Sequence, residues 1–273
     1  MKIPIEVKAV LDEYIKLVDK YIPSTLEEIY VHGSIALGAY EHNSSDIDLL
    51  TIMNRRLTED DTKALNSIHT ILVQKYEKPE LDCVYISWEQ LSKVNSKPKV
   101  RDEKYQFYND GELQFGDYFN FNPVTWWTLK NHGIKVISRE TEVMKFEVSA
   151  EDLVSYVHNN MNSYWLNFIK RVEVNKEALL DFPSKEIDLQ VEWIVLGLLR
   201  QFYTIKELKI ISKLEAGNYG LSSLSKQWHP LIQEAVNIRK GINDRIMSSD
   251  IERLENTIRF SQYLIEHCNR LVE

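Results

Sequence analysis

The sequence predicts an α+β fold in two parts, a mixed β-sheet with flanking helices over residues 1–148 and an all-helical bundle over residues 149–273. Three observations carry this reading. Short β-branched runs at residues 28–32, 46–52, 81–87 and 134–137 alternate with segments of helical period, the pattern of a sheet covered by helices. Beyond Ser149 the long segments repeat at helical period and no further strand signal occurs. At 273 residues the chain suffices for one large domain or two ordinary ones, and the change of character at 149 favours two.

Composition bounds the function. Hydrophobic residues make up 44% and charged residues 27% of the chain, as in an ordinary water-soluble domain. No apolar run reaches the roughly 18–20 residues that cross a bilayer, and Glu6, Lys8, Asp12 and Glu13 interrupt any signal-peptide core, so a cytoplasmic protein without a membrane partner is expected. The net charge of −8 argues against nucleic acid as a partner and suits a small cationic substrate. Cys83 and Cys268 lack zinc-ligand spacing and read as unpaired thiols.

Taken in order, residues 5–21 place Val7, Val10, Leu11, Tyr14, Ile15 and Val18 on one helical stripe, which Pro23 and Ser24 end. A strand at 28–32 leads into Gly33 and Ser34, a short helix, Gly38, and a second strand at 46–52. Thr58 opens the next helix with Asp60 and Asp61 in its first turn, burying Leu65, Ile68, Ile71 and Leu72. Lys78-Pro79 breaks the chain before the strand at 81–87, near whose start stands Asp82. Residues 95–121 lack clear periodicity and read as a connecting loop. Asn122 and Pro123 form an N-cap and N1 pair for a helix to 131; His132-Gly133 stops it before a last strand at 134–137, and Trp126 and Trp127 read as packing residues. The helical part is expected to contain helices at 149–174, 185–206, 221–240 and 249–272, capped at Ser149 (with Asp152) and Ser249 (with Glu252), with loops around 181–184 and 217–220.

The chemistry concentrates at residues 31–50, VHGSIALGAYEHNSSDIDLL. Residues i and i+2 of a strand share a face, so Asp46 and Asp48 project together while Ile47 and Leu49 enter a core. Adjacent carboxylates repel, and a divalent cation relieves that; magnesium suits one or two carboxylates completed by phosphate oxygens. Gly33 lets backbone N–H groups approach a phosphate at the strand-to-helix turn. Asp82 can join this site as a third acid if its strand lies beside that of Asp46 and Asp48.

Gly33-Ser34 followed by Asp46-x-Asp48 resembles the signature of the polymerase-β-like nucleotidyltransferase superfamily. With HGS…SDIDLL at 32–50, ELQFG at 112–116, and the helical stretch at 200–217 with its Arg-to-Lys spacing and Glu215-Ala216-Gly217, the chain more closely resembles the aminoglycoside (3'')(9) adenylyltransferases, the streptomycin and spectinomycin resistance enzymes. The resemblance implies an N-terminal nucleotidyltransferase domain (1–148), a C-terminal helical domain (149–273), and magnesium-dependent transfer of AMP from ATP to a hydroxyl of an aminoglycoside or aminocyclitol. By position, Ser34 matches a phosphate-contacting serine and Ser45 a nucleotide-contacting one. Asp46 and Asp48 match magnesium ligands, Asp82 takes the place of the catalytic Glu and can also share a metal, and Arg200 and Lys213 match cations on the ATP phosphates.

The chain departs from the family at Asp82 itself, at Asp117-Tyr118 where Glu-Trp is usual, at Gln190 and Trp193, and at Arg239 in place of a tyrosine; Glu186, Asp188 and Glu192 stand nearby as acids. These departures lie on the acceptor side, so a lincosamide, another small metabolite or a protein side chain stays open as acceptor, and so does an ATP-binding relative without transferase activity.

Overall fold

In the computed structural model, which describes residues 3–42, 44–94, 103–138, 147–242 and 244–272, the chain divides into two units, Met1–Val148 and Ser149–Glu273. Among the described residues no helix is long and apolar enough to cross a membrane.

The first unit is built on a six-stranded sheet: β1 (Leu26–Val31), β2 (Ile47–Met53), β3 (Leu81–Ser87), β4 (Tyr105–Asn109), β5 (Glu112–Gly116) and β6 (Ile134–Ser138), in the order β5-β4-β3-β2-β1-β6. Only β2 and β3 run parallel; the other neighbours are antiparallel, so the sheet is mixed. The crossover from β2 to β3 is α3 (Glu59–Lys75), which packs with α1 (Ile5–Tyr21) against one face. That face carries Ile29, Val31, Ile47, Leu49, Cys83 and Tyr85. The opposite face carries Tyr30, Leu50, Ile52, Val84 and Ile86, under Leu91 of α4 (Trp88–Val94) and Trp126 and Leu129 of α5 (Pro123–His132). Strands buried on both faces read as near-continuous apolar runs, which is why β2 and β3 stand out in the sequence. Thr58 and Asp61 form a reciprocal capping box on α3, and the Asn122 side chain accepts from the Val124 and Thr125 N–H groups to start α5. Between β1 and β2 lies the single turn α2 (Gly33–Ala36).

The expected loop at 95–121 is overturned in its described part by the β4–β5 hairpin. Its two-residue turn is Asp110-Gly111, both at positive φ (51° and 79°). Such a turn matches the twist of the flanking strands, and Asp-Gly is its sequence mark; residues 95–102 lie outside the described residues.

The second unit winds around the 24-residue α9 (Ser184–Glu207). Before it come α6 (Ala150–Asn160), a π-turn at Met161–Trp165, α7 (Leu166–Val174) and the short α8 (Lys176–Leu179); after it come α10 (Lys213–Ser223), α11 (His229–Arg239) and α12 (Asp250–Val272). Ser149 caps α6, and the Ser249 Oγ accepts from the Glu252 N–H at the start of α12. The expected loop at 217–220 is instead inside α10. A Cβ on Gly217 would come within 2.4 Å of Val236, and one on Gly220 within 2.8 Å of Leu199, so these glycines let α10 approach α11 and α9. The single helix expected at 221–240 is correspondingly two, separated by the 3₁₀ turn Lys226–Trp228. Arg253 is fully buried and binds Glu234, Asp188 and Asp250, tying α12 to α11 and α9.

Candidate active site

The chain leaves β1 through His32, whose N–H donates to the Asp48 carbonyl at 3.0 Å, and turns at Gly33 with φ +59°. A Cβ at Gly33 would lie 1.8 Å from Asp48 Oδ2, so the turn and the carboxylate occupy adjoining space that no other residue would leave open. Next in the turn, the Ser34 Oγ is buried and finds no hydrogen-bond partner among the described residues. A buried hydroxyl without a partner carries a desolvation cost that a ligand oxygen would relieve. Ser45 is buried and its Oγ accepts from the Glu41 N–H at 3.0 Å, while its own N–H donates to the Glu41 carbonyl at 2.8 Å. That knot closes the loop ahead of Asp46.

β2 begins at Ile47, one residue later than the sequence suggests, so Asp46 stands just before the strand and is exposed, while Asp48 is half-buried within it. In the parallel β2–β3 ladder Asp48 is the register partner of Asp82. Both carboxylates belong to the face whose next residues are Leu50 and Val84, the face covered by α4 and α5. Asp82 accepts from the Tyr118 hydroxyl at Oδ1 (3.1 Å) and from the Asn109 amide at Oδ2 (3.3 Å). Burial pushes its carboxyl up to about 6, with the Asp46 and Asp110 charges acting in the same direction and the bonds from Tyr118 and Asn109 opposing them. Burial, then the Asp82 charge, raises the Tyr118 phenol, which stays a donor. His32 is buried and its imidazole is lowered to about 4, so it is neutral near pH 7.

In the second unit, Lys213 opens α10, and its Nζ lies 3.1 and 3.2 Å from the two carboxylate oxygens of buried Glu192 on α9. Arg239, at the end of α11, reaches the same carboxylate at 3.5 Å. Burial lowers the Lys213 pKa; the Arg239 and Arg200 charges add to this, and Glu192 opposes it. Arg200 and Lys213 thus share one electrostatic cluster within this unit. Trp193 packs instead on Trp165 and Phe168, with ring centroids 4.6 and 4.9 Å away.

The sequence-derived residues therefore fall into two sets, Gly33, Ser34, Ser45, Asp46, Asp48 and Asp82 in the first unit and Arg200 and Lys213 in the second. Among the described residues no three His, Cys, Asp or Glu side chains are assembled to hold a metal ion. An Asp-x-Asp pair still fits magnesium in its ligand chemistry, since that ion uses few carboxylates and keeps water or phosphate as its remaining ligands. Sequence reasoning noted Tyr118, Glu192 and Arg239 only as departures or neighbours and passed over Asn109, which directly precedes the Asp-Gly turn.

Comparison with known proteins follows the same division. The profile of the Nucleotidyltransferase domain matches residues 11–110, and that of the Aminoglycoside adenylyltransferase, C-terminal domain, matches residues 176–264. An aminoglycoside (3'') (9) adenylyltransferase of Shigella flexneri is 24% identical over 272 residues, and one of Escherichia coli 23%; each match covers 93% of both proteins. The crystal structure of spectinomycin adenyltransferase AAD(9) from Enterococcus faecialis with ATP and spectinomycin shares the fold, with a TM-score of 0.63 at 16% identity, covering 95% of this chain and 99% of that one.

Proposed function

The chain belongs to the aminoglycoside (3'')(9) adenylyltransferase-like family of nucleotidyltransferases, and on that premise we propose that it transfers AMP from ATP to a hydroxyl of an aminoglycoside or aminocyclitol of the streptomycin or spectinomycin type, releasing pyrophosphate. The observation that carries this reading is the juxtaposition of the Gly33 turn, the unpartnered Ser34 Oγ and the register pair Asp48–Asp82.

In this reading Ser34 donates its hydroxyl to a phosphate oxygen, and the Gly33 turn leaves that phosphate room beside Asp48. Asp46 and Asp48 would hold magnesium, which when bound neutralises triphosphate charge. Asp82, held by Tyr118 and Asn109, accepts the proton of the attacking hydroxyl; a carboxyl near 6 is a stronger base than an ordinary one and is still largely ionised at pH 7. Arg200 and Lys213 bind the pyrophosphate end of ATP and stabilise charge as it leaves. The −8 charge of the chain favours a polycationic acceptor.

The test is pyrophosphate release by the purified protein with ATP, magnesium and a panel of aminoglycosides and aminocyclitols. Release with at least one of them, lost on chelation of magnesium and in Asp48→Asn, is the expected outcome. No release with any drug overturns the acceptor assignment, and near-normal turnover in Asp48→Asn overturns the metal assignment.

A further inference from the structure

The surroundings of Asp82 are set to the length of an aspartate. Its Oδ1 and Oδ2 are each taken by one donor, Tyr118 Oη at 3.1 Å and Asn109 Nδ2 at 3.3 Å, and each oxygen keeps a further lone pair for a reacting group. Tyr118 is 6% exposed, and its ring is fixed by Phe107, Phe119 and Phe121 at centroid distances of 5.2, 5.4 and 5.0 Å. A ring packed on three others cannot follow a moving partner without disturbing all of them. The Asn120 amide reaches the Tyr118 oxygen at 3.5 Å, which directs the phenolic proton toward Asp82. Asn109 is likewise fixed, in ladder register with Glu112 at the closing pair of the hairpin. One added methylene, about 1.5 Å, would carry the carboxylate toward the Tyr118 hydroxyl, whose ring packs on buried Phe107.

We propose that Tyr118 is a positioning residue, length-matched to Asp82, whose hydroxyl turns the carboxylate so that its remaining lone pairs face the acceptor hydroxyl. This rests on the transferase reading above. Tyr118 and Asp82 then act as one unit, and changing either alone misplaces the base.

The experiment compares wild type, Tyr118→Phe, Asp82→Glu and the double variant. The phenyl ring of Tyr118→Phe keeps the aromatic packing, so its melting temperature should match wild type. Its kcat should fall about tenfold, the loss of one hydrogen bond to a charged group, with KM for ATP within twofold. Asp82→Glu should lose more than tenfold, and adding Tyr118→Phe to it should restore activity, because the obstructing hydroxyl is gone. A crystal structure of Tyr118→Phe should show Asp82 rotated from its wild-type position, a readout that needs no turnover. An unchanged kcat in Tyr118→Phe, losses that multiply in the double variant, or an unmoved Asp82 in the crystal overturns the proposal. Absence of turnover in the wild type overturns the transferase reading instead, and the crystal structure then decides the positioning proposal by itself.

Discussion

Replacing Asp82 by Asn should stabilise the protein while abolishing transfer. The carboxyl is held at about 6, against 3.8 for an ordinary aspartate, chiefly because it is buried. The folded-state value is raised, so folding takes up a proton between pH 4 and 6, and the cost of the buried charge is complete only above pH 6. About two pKa units correspond to roughly 3 kcal/mol. Asn keeps an acceptor for the Tyr118 hydroxyl and removes the charge, so Asp82→Asn should gain about 2–3 kcal/mol at pH 7.5, which for a unit of this size is on the order of 5–10 °C in melting temperature. The gain should shrink to about 0.5 kcal/mol by pH 4, where the wild-type carboxyl is protonated in the fold and already about two-fifths protonated in the unfolded chain. Urea titrations of both proteins at the two pH values, with EDTA present, measure this directly. A variant no more stable than wild type at pH 7.5, or one equally stabilised at both pH values, would refute the reasoning that Asp82 is kept charged at a cost to the fold.

Three further outcomes follow from the geometry. Gly33→Ala places a Cβ against the Asp48 carboxylate and adds about 1 kcal/mol of left-handed strain; transfer should fall at least a hundredfold, and stronger dependence on magnesium concentration in a rate titration would identify the displaced carboxylate as the cause. Glu192→Gln leaves the Lys213 and Arg239 charges without their shared partner and should cost roughly 3 kcal/mol in a denaturant titration, with α9, α10 and α11 losing hydrogen-exchange protection first. Buried His32 and His69 are lowered to about 4 and 3, so both stay neutral in the fold while the unfolded chain protonates below 6.5; stability should decline as pH falls from 6.5 toward 4, by about 1.4 kcal/mol per pH unit for each, partly offset by Asp82 between 6 and 4. His69→Phe should flatten that decline in pH-dependent denaturation curves.

The elements legible in the sequence are those whose signal is local. Apolar runs buried on both faces mark β2 and β3, and side chains that satisfy the first N–H groups of a helix mark α3, α5 and α6 at Thr58, Asn122 and Ser149. The β4–β5 hairpin escaped because its outer strand is mostly exposed and does not alternate cleanly, leaving the Asp110-Gly111 turn as the usable mark. α10 escaped for a different reason. Gly217 and Gly220 have the composition of a loop, and only the approach of Val236 and Leu199, from other helices, explains why a helix needs glycine there.

The same distinction separates the two halves of the candidate site. Asp48 announces itself through strand alternation, Asp46 only as the acid one residue before the strand, and Asp82 follows once β3 is placed beside β2, since parallel register then puts it opposite Asp48. What sets the behaviour of Asp82 lies elsewhere in the chain: Tyr118 is 36 residues away, on the loop after a hairpin that the sequence pattern concealed. Glu192 is similar, a buried acid on an amphipathic helix whose partners Lys213 and Arg239 arrive from two further helices. Residues that bind the shared chemistry of a nucleotide sit in short, rigid motifs, because a phosphate and a metal impose the same local geometry wherever they occur. Side chains that hydrogen-bond a strand carboxylate are free to be drawn from any element that reaches it, and here Tyr118, from the loop after β5, and Asn109, from the end of β4, both reach Asp82.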